Sequence, residues 1–164
     1  MLQTKRLKLR QFVENDKPTV IGLLKNPDFM AYSPTGAMTD SQAEHRFNQL
    51  IKAFDEEGIG KLAIIEKSSG NLIRYCGIES FDYKSQKVVE LGYRLKLSAR
   101  GYGYAFEACK AILYFAKQLG YLNILALTEV ENAQSQHILS KLGFEAREKG
   151  TFQGMSIQYF EKNI

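Results

Sequence analysis

The chain is poor in the residues that build metal sites and disulfide frameworks: two cysteines, two histidines and three prolines in 164 residues. Cys76 and Cys109 sit in apolar surroundings. They are expected to be buried reduced thiols, which is the cysteine usage of a cytoplasmic protein. His45 and His137 fall on separate helical stretches without metal-ligand spacing. Two cysteines do not complete a ligand set, so no metal is expected. No run of about 18 apolar residues occurs, so no membrane-spanning helix is expected. The opening residues, Met1-Leu2-Gln3-Thr4-Lys5-Arg6, lack the apolar core of a signal peptide. Lys and Arg are scattered, with no block of about five or six like charges. The net charge of +4 suits a polyanionic small ligand at least as well as a nucleic acid. No aromatic-basic RNA-binding motif accompanies it, and direct nucleic-acid binding is not expected. No internal repeat, linker or low-complexity segment breaks the chain, and residues 1–164 are expected to form a single domain.

What is present is a regular succession of patterned segments. Residues 6–13 read as a strand with Leu7 and Leu9 on one side and Phe12 on the other. A short helix follows from Asp16 to about Leu24, with Pro18 in its first turn. Residues 39–57 predict a long helix. Thr39 and Gln42 have capping-box spacing, Ala43, Phe47, Leu50, Ile51 and Phe54 form its apolar stripe, and Gly58 ends it. Residues 62–66 and 72–81 read as strands joined by the turn Ser68-Ser69-Gly70-Asn71. After Gly120, the apolar run 124–127 suits a strand buried on both faces. Residues 132–142 read as a helix stopped by Gly143, and residues 144–149 and 155–161 as closing strands.

The stretch from Val89 to Gly120 carries most information. Val89, Leu91, Tyr93, Leu95 and Leu97 alternate with Glu90, Gly92, Arg94 and Lys96, which is a strand with one apolar face. A glycine-rich turn follows, then a helix whose inward face holds Ala105, Ala108, Cys109, Ile112, Ala116 and Leu119. Strand, glycine loop and helix together make an anion site. The first N–H groups of the helix have no partner within it, and its dipole adds positive potential there. Gly101 and Gly103 let the backbone approach a ligand without a Cβ in the way, and Arg100 adds a charge. The element order β-α-α-β-β-β-α-β-α-β-β predicts an α+β fold, with a mixed, mostly antiparallel central sheet flanked by helices.

Arg100-x-x-Gly103-x-Ala105 resembles the pyrophosphate-binding signature of the GNAT acyltransferase superfamily, (Gln/Arg)-x-x-Gly-x-(Gly/Ala). The longer run through Tyr102, Tyr104 and Phe106 to Ala108 is similar to the branch that acetylates the N-termini of ribosomal proteins, as is the opening Thr4-x-Arg6-Leu7-x-Leu9-Arg10. A second signature, Asn132-x-x-Ser135 followed by Lys141-Leu142-Gly143-Phe144, matches the same branch. The resemblance spans nearly the whole chain. It implies a GNAT fold, acetyl-CoA as co-substrate and transfer of an acetyl group to a primary amine, a ribosomal-protein N-terminus among the candidates.

The resemblance also implies a set of site residues. Arg100, Gly101, Tyr102, Gly103, Tyr104, Ala105 and Phe106 would hold the diphosphate. The amides of Tyr93, Arg94 and Leu95 would hold the pantetheine and the thioester carbonyl. Asn132 would bond the pantetheine arm, and Ser135 would lie near the sulfur and protonate the leaving thiolate. By local chemistry alone, Asn132 and Ser135 equally well finish a helix N-terminus. Many members of the superfamily carry a tyrosine seven positions after this asparagine; here that position is Leu139. Glu90 is the candidate general base, with Glu79 and Glu129 as weaker ones. Phe29, Met30 and Tyr32 are candidates for lining the acceptor pocket, although such residues usually pack in a core.

Other readings share the glycine loop. A dinucleotide site lacks its third glycine, since Gly101-x-Gly103-x-x-Phe106 ends in phenylalanine, and lacks the acidic residue about 20 positions on. A coenzyme-binding regulatory module without transfer would use the same loop and stands as the alternative. The acceptor amine is left open, and so is the choice between monomer and homodimer.

Overall fold

The structure is a computed structural model and describes residues 1–95 and 101–164. Eight strands and four helices follow one another along the described chain: β1 (Leu2–Gln3), β2 (Leu7–Arg10), α1 (Lys17–Leu24), α2 (Asp40–Glu57), β3 (Lys61–Glu66), β4 (Leu72–Tyr83), β5 (Gln86–Leu95), α3 (Tyr104–Gln118), β6 (Asn123–Glu129), α4 (Ala133–Lys141), β7 (Glu145–Phe152) and β8 (Met155–Asn163). All strands join one sheet in the order β1-β2-β3-β4-β5-β6-β8-β7. Every neighbouring pair is antiparallel except β5 and β6, which are parallel and joined through α3. This is the expected α+β architecture.

The hairpins follow from their turns. Lys84 and Ser85, between β4 and β5, both have positive φ, +50° and +62°, as does the Gln153-Gly154 pair between β7 and β8, +49° and +81°. Two consecutive positive φ values match the twist of the flanking strands in a two-residue hairpin. α2 starts on a reciprocal cap: Thr39 Oγ1 accepts from the Gln42 amide at 3.2 Å, and Gln42 Oε1 accepts from the Thr39 amide at 2.9 Å. Gly58 closes it in the left-handed region at φ +73°.

The sheet separates two apolar layers. On one face, α3 lays Ala108, Cys109, Ile112, Leu113 and Ala116 against Cys76, Ile78 and Leu91, with Ile124, Ala126 and Leu139 completing the layer. On the other, α1 and α2 pack Val20, Leu24, Ala43, Phe47 and Leu50 over Phe12, Ala63 and Tyr75. Leu7 and Leu9 of β2 share the first layer, as its alternation requires, and Phe12, just past the strand, joins the second. Ile124, Leu125 and Ala126 are all buried, so β6 is covered on both faces.

The structure corrects some boundaries. The two-residue β1 was not expected. The first strand is shorter than expected, and β4 and β5 extend further into their shared hairpin. Leu119 is 47% exposed: α3 ends at Gln118 and Leu119 is its C-cap, while Leu113 is buried in the layer. The expected continuation of the central strand through Lys96 and Leu97 lies outside the described residues.

Candidate active site

The parallel contact between β5 and β6 consists of one register pair, Glu90 with Leu125. Beyond it the following residues of both strands, Leu91 to Arg94 and Ala126 to Glu129, line a cavity of about 470 Å³. A second hollow of about 290 Å³ runs between the start of α3 and α4. Tyr32, Tyr93, Arg94, Asn132 and Ser135 line both, so the two spaces meet at the gap between the strands.

The α3 end of the second hollow is built by glycines. Gly101 and Gly103 have φ +84° and +76°, and Gly103 is the residue that precedes the first turn of α3. An L-residue adopts this region with strain. A Cβ on Gly101 would meet nothing within 4 Å, and one on Gly103 would meet Arg6 Nη2 at 3.5 Å, so the cradle is open to a ligand. The loop is fixed from Arg6, the residue before β2. Arg6 Nη1 donates to the Tyr102 carbonyl at 2.6 Å, Arg6 Nε to Glu107 Oε2 at 2.7 Å, and the Arg6 amide to Glu107 Oε1 at 2.9 Å. Burial alone would raise the Glu107 pKa, but the hydrogen bonds from Thr4 and Arg6 hold it below the usual carboxylate range. The Arg6 guanidinium also lies 4.5 Å from the centre of the Tyr104 ring, which stacks on Tyr102.

The Tyr104 hydroxyl donates to Glu66 Oε1 at 2.6 Å and is so engaged within the protein. What it offers a ligand is its place in the first turn. Ala105 and Phe106 line the hollow, and Lys110 and Lys141 flank the Phe106 ring at 5.7 and 4.8 Å. The first-turn amides, which have no partner within the helix, the dipole and the lysines together suit a phosphorylated ligand. Arg100 lies outside the described residues. Leu95 is described as a backbone position, paired with Arg74 of β4.

The larger cavity has a charged floor. Glu79 and Glu90 are direct cross-strand neighbours on β4 and β5. Two like charges so placed repel. Lys61 of β3 resolves this: its Nζ lies 3.3 Å from Glu79 Oε2 and 3.3 Å from Glu90 Oε2, and donates to the Gly77 carbonyl at 3.3 Å. Arg46 of α2 reaches Glu79 Oε1 at 3.0 Å. Two cations thus balance two carboxylates. Glycines make room for the arrangement: a Cβ on Gly92 would lie 2.5 Å from Lys61 Nζ. Burial works against the charged forms, yet the Lys61 and Arg46 charges outweigh it and bring the Glu79 pKa down to about 2. The Lys61 pKa is raised, burial being outweighed by Glu79 and Glu90. Neither Lys61 nor Arg46 was singled out in the sequence. The faint signals were Gly77 and Gly92, glycines inside strands that mark a close approach.

At the meeting point, Asn132 Oδ1 accepts from the Ser135 amide at 3.2 Å and caps α4. Ser135 Oγ is 2.6 Å from Tyr93 Oη. Burial, before anything else, pushes the Tyr93 pKa above the ordinary tyrosine range, so the phenol stays protonated at neutral pH. The sequence pointed to the Tyr93 amide; the contact of its hydroxyl across 42 residues of chain left no local mark. Leu139 is buried and brings no hydroxyl to the cavity wall.

Glu90, Glu79 and Glu129 line the larger cavity together, Glu90 through an ion pair rather than as a free carboxylate. Met30 faces this cavity, Phe29 the hollow and Tyr32 both, while Phe29 and Met30 are also core residues at 3% and 1% exposure. His45 lies on the exposed face of α2 near Gln49, and His137 lines the hollow. Among the described residues no group of three metal-ligating side chains occurs, and no helix is long and apolar enough to cross a membrane.

Residues 6–145 match the acetyltransferase (GNAT) domain family. An N-acetyltransferase of Bacillus subtilis (strain 168), YnaD, itself described as uncharacterized, is 30% identical over 156 residues, 92% of this chain and 85% of that protein. An acetyltransferase from Agrobacterium tumefaciens superposes with a TM-score of 0.86 at 22% identity, covering 99% of this chain and 94% of that one. RimL, a ribosomal L7/L12 alpha-N-protein acetyltransferase determined in complex with coenzyme A, superposes with a TM-score of 0.81 at 14% identity, covering 98% and 96%. At these identities the two structures speak for the fold.

Proposed function

The chain belongs to the acetyltransferase (GNAT) domain family, and from that premise we propose that residues 1–164 act as one domain that moves an acetyl group from acetyl-CoA to a primary amine by direct attack, in the manner of the ribosomal-protein N-acetyltransferases. The observation that carries this reading is the meeting of two separate spaces at Tyr93, Asn132 and Ser135. One space starts at a helix N-terminus with a glycine cradle, and the other has a charged floor.

Bound acetyl-CoA would supply a thioester carbonyl as the electrophile. The first turn of α3, with Gly101, Gly103 and Ala105, binds its diphosphate, and Lys110 and Lys141 add charge at the rim. Amides of Tyr93, Arg94 and Leu95 orient the pantetheine and polarise the carbonyl. Asn132 bonds the arm where it crosses α4. The amine comes from the larger cavity past Met30 and Tyr32. As its nitrogen bonds to the carbonyl carbon and the carbon–sulfur bond breaks, Ser135 gives a proton to sulfur. Glu90 takes the surplus proton of the nitrogen through water. No covalent bond to the protein forms.

The test is a panel of amines, comprising peptides with free N-termini, amino acids, a polyamine and an aminoglycoside, each incubated with acetyl-CoA while free thiol is measured. Release with at least one amine is expected. Ser135→Ala should then lower kcat by about 100-fold or more at unchanged coenzyme affinity. Leu139, which offers no acid, favours one second reading: a coenzyme-binding module without transfer. Tight coenzyme binding with no release from any amine would select it. Absence of coenzyme binding would refute both.

A further inference from the structure

Arg74 is fully buried on β4, and its three guanidinium nitrogens find no hydrogen-bond partner among the described residues. A cation so placed is costly unless something offsets it. Its surroundings are specific. Its Cζ lies 5.2 Å from the centre of the Tyr93 ring. Tyr93 Oη is 2.6 Å from Ser135 Oγ, and both residues line the place where the two spaces meet. Arg74, Tyr93 and Ser135 thus follow one another by contact, from a cation without a hydrogen-bond partner among the described residues to a hydroxyl that lines the hollow.

We propose that Arg74, Tyr93 and Ser135 form a proton supply to the departing sulfur, in which Ser135 gives its proton to the thiolate, is refilled from Tyr93 Oη, and Arg74 offsets the charge left on the phenolic oxygen. This rests on the acetyl-CoA reading above. The protons balance. Sulfur gains one, Ser135 gives one and receives one, Tyr93 gives one, and the proton that the amine nitrogen sheds after its attack passes by way of Glu90 and water to restore Tyr93. Tyr93, brought from the sheet, stands in for the hydroxyl that Leu139 does not provide. Burial keeps the phenol protonated at rest, while the Arg74 charge works the other way and favours loss of its proton as negative charge builds on the departing sulfur. Arg74 and Tyr93 are positioning residues, since they act through Ser135. Other titratable groups near these residues include the Cys76 and Cys109 thiols, 3.7 Å apart on β4 and α3, Arg94 on β5, and His137 and Lys141 on α4.

The test needs no acceptor. Coenzyme A with its free thiol is bound to the wild-type chain and to Tyr93→Phe, Arg74→Met and Ser135→Ala. The bound thiol is titrated by its ultraviolet absorbance, each chain read against itself without coenzyme. Donors that favour the thiolate should make it ionise about one pH unit lower in the wild type than in any variant, a tenfold change in the equilibrium. Coenzyme affinity for the neutral thiol should be unchanged. Arg74→Met and Tyr93→Phe serve as independent routes if one fails to fold. A merely structural role would leave the thiol titrating identically with coenzyme bound in all chains, which overturns the supply line alone. No coenzyme binding to the wild type would instead overturn the acetyl-CoA reading, and the supply line with it.

Discussion

Replacing Lys61 with methionine keeps most of the side-chain volume and removes the charge that separates Glu79 from Glu90. Both carboxylates lie 3.3 Å from its Nζ, and its side chain is 5% exposed. Taking one partner out of a buried ion pair costs about 3–5 kcal/mol. The titration of Glu79 gives a second route to the magnitude. Its pKa falls from 4.5 to about 2, and at about 1.4 kcal/mol for each pH unit this is about 3 kcal/mol, shared between Lys61 and Arg46. Its side chain is 28% exposed, so solvent screening takes some of this back. For a chain of 164 residues, about 3 kcal/mol lowers Tm by roughly 6–12 °C. The pH dependence identifies the cause. A carboxylate with a depressed pKa stabilises the fold fully above its unfolded value, 4.5, and loses that contribution as the pH falls toward 2. The raised Lys61 contributes below 10.5 and loses its share as the pH rises through its folded value. Urea unfolding of wild type and Lys61→Met should therefore differ most between these limits, by about 3 kcal/mol at about pH 7 and by about 1 kcal/mol or less at about pH 3. A difference that stays constant across that range would mean lost packing rather than charge, and would refute the account of the cavity floor.

Gly103→Val places a β-branched residue at φ +76° in the cradle and should lower coenzyme affinity by at least about tenfold in calorimetry with the fold retained; unchanged affinity would remove the phosphate site from α3. Arg6→Leu frees the Tyr102 carbonyl and Glu107, and should weaken coenzyme binding more than it changes kcat, at a cost in stability of about 1.5–3 kcal/mol from charge-assisted hydrogen bonds. Thr39→Ala breaks the reciprocal cap of α2 and should cost about 1 kcal/mol in urea unfolding without touching coenzyme binding.

The parts of the fold that were legible in the sequence are those with a period. The stripe Ala43, Phe47 and Leu50 and the alternation through β5 fix α2 and the central strand before any long-range contact is known. β1 holds two residues and so has no period to read. The hairpin ends of β4 and β5 carry Asp82, Lys84, Ser85, Gln86 and Lys87, a composition that reads as turn while its backbone stays in the ladder to Tyr83 and Gln86. In the candidate site, the positive-φ glycines Gly101 and Gly103 and the cap that Asn132 makes to the Ser135 amide were legible because each is a feature of a few consecutive residues. Arg6 with Glu107, Lys61 with Glu79 and Glu90, and Tyr93 with Ser135 were not, because each pair joins distant segments whose separation the topology alone closes.

What the topology closes on one side of β5 it opens on the other. Every residue of β5 has a register partner in antiparallel β4, whereas in β6 it has one, Leu125 opposite Glu90. Backbone donors in a sheet are paired almost without exception, so those of residues 91–94 that face the gap, without a register partner in β6 among the described residues, call for solvent or a ligand. A ligand carbonyl lying in the gap would continue the ladder that β6 abandons. Hydrogen exchange separates this from a passive cleft. In the free chain the gap-facing amides among residues 91–94 should exchange faster than their neighbours bonded to β4, and saturating acetyl-CoA should slow them while leaving the β4-facing set unchanged. Equal protection in the free chain would mean that the gap is already filled by the protein. Slowing of both sets alike would mean general stiffening, and either result would remove β5 from the binding of the thioester.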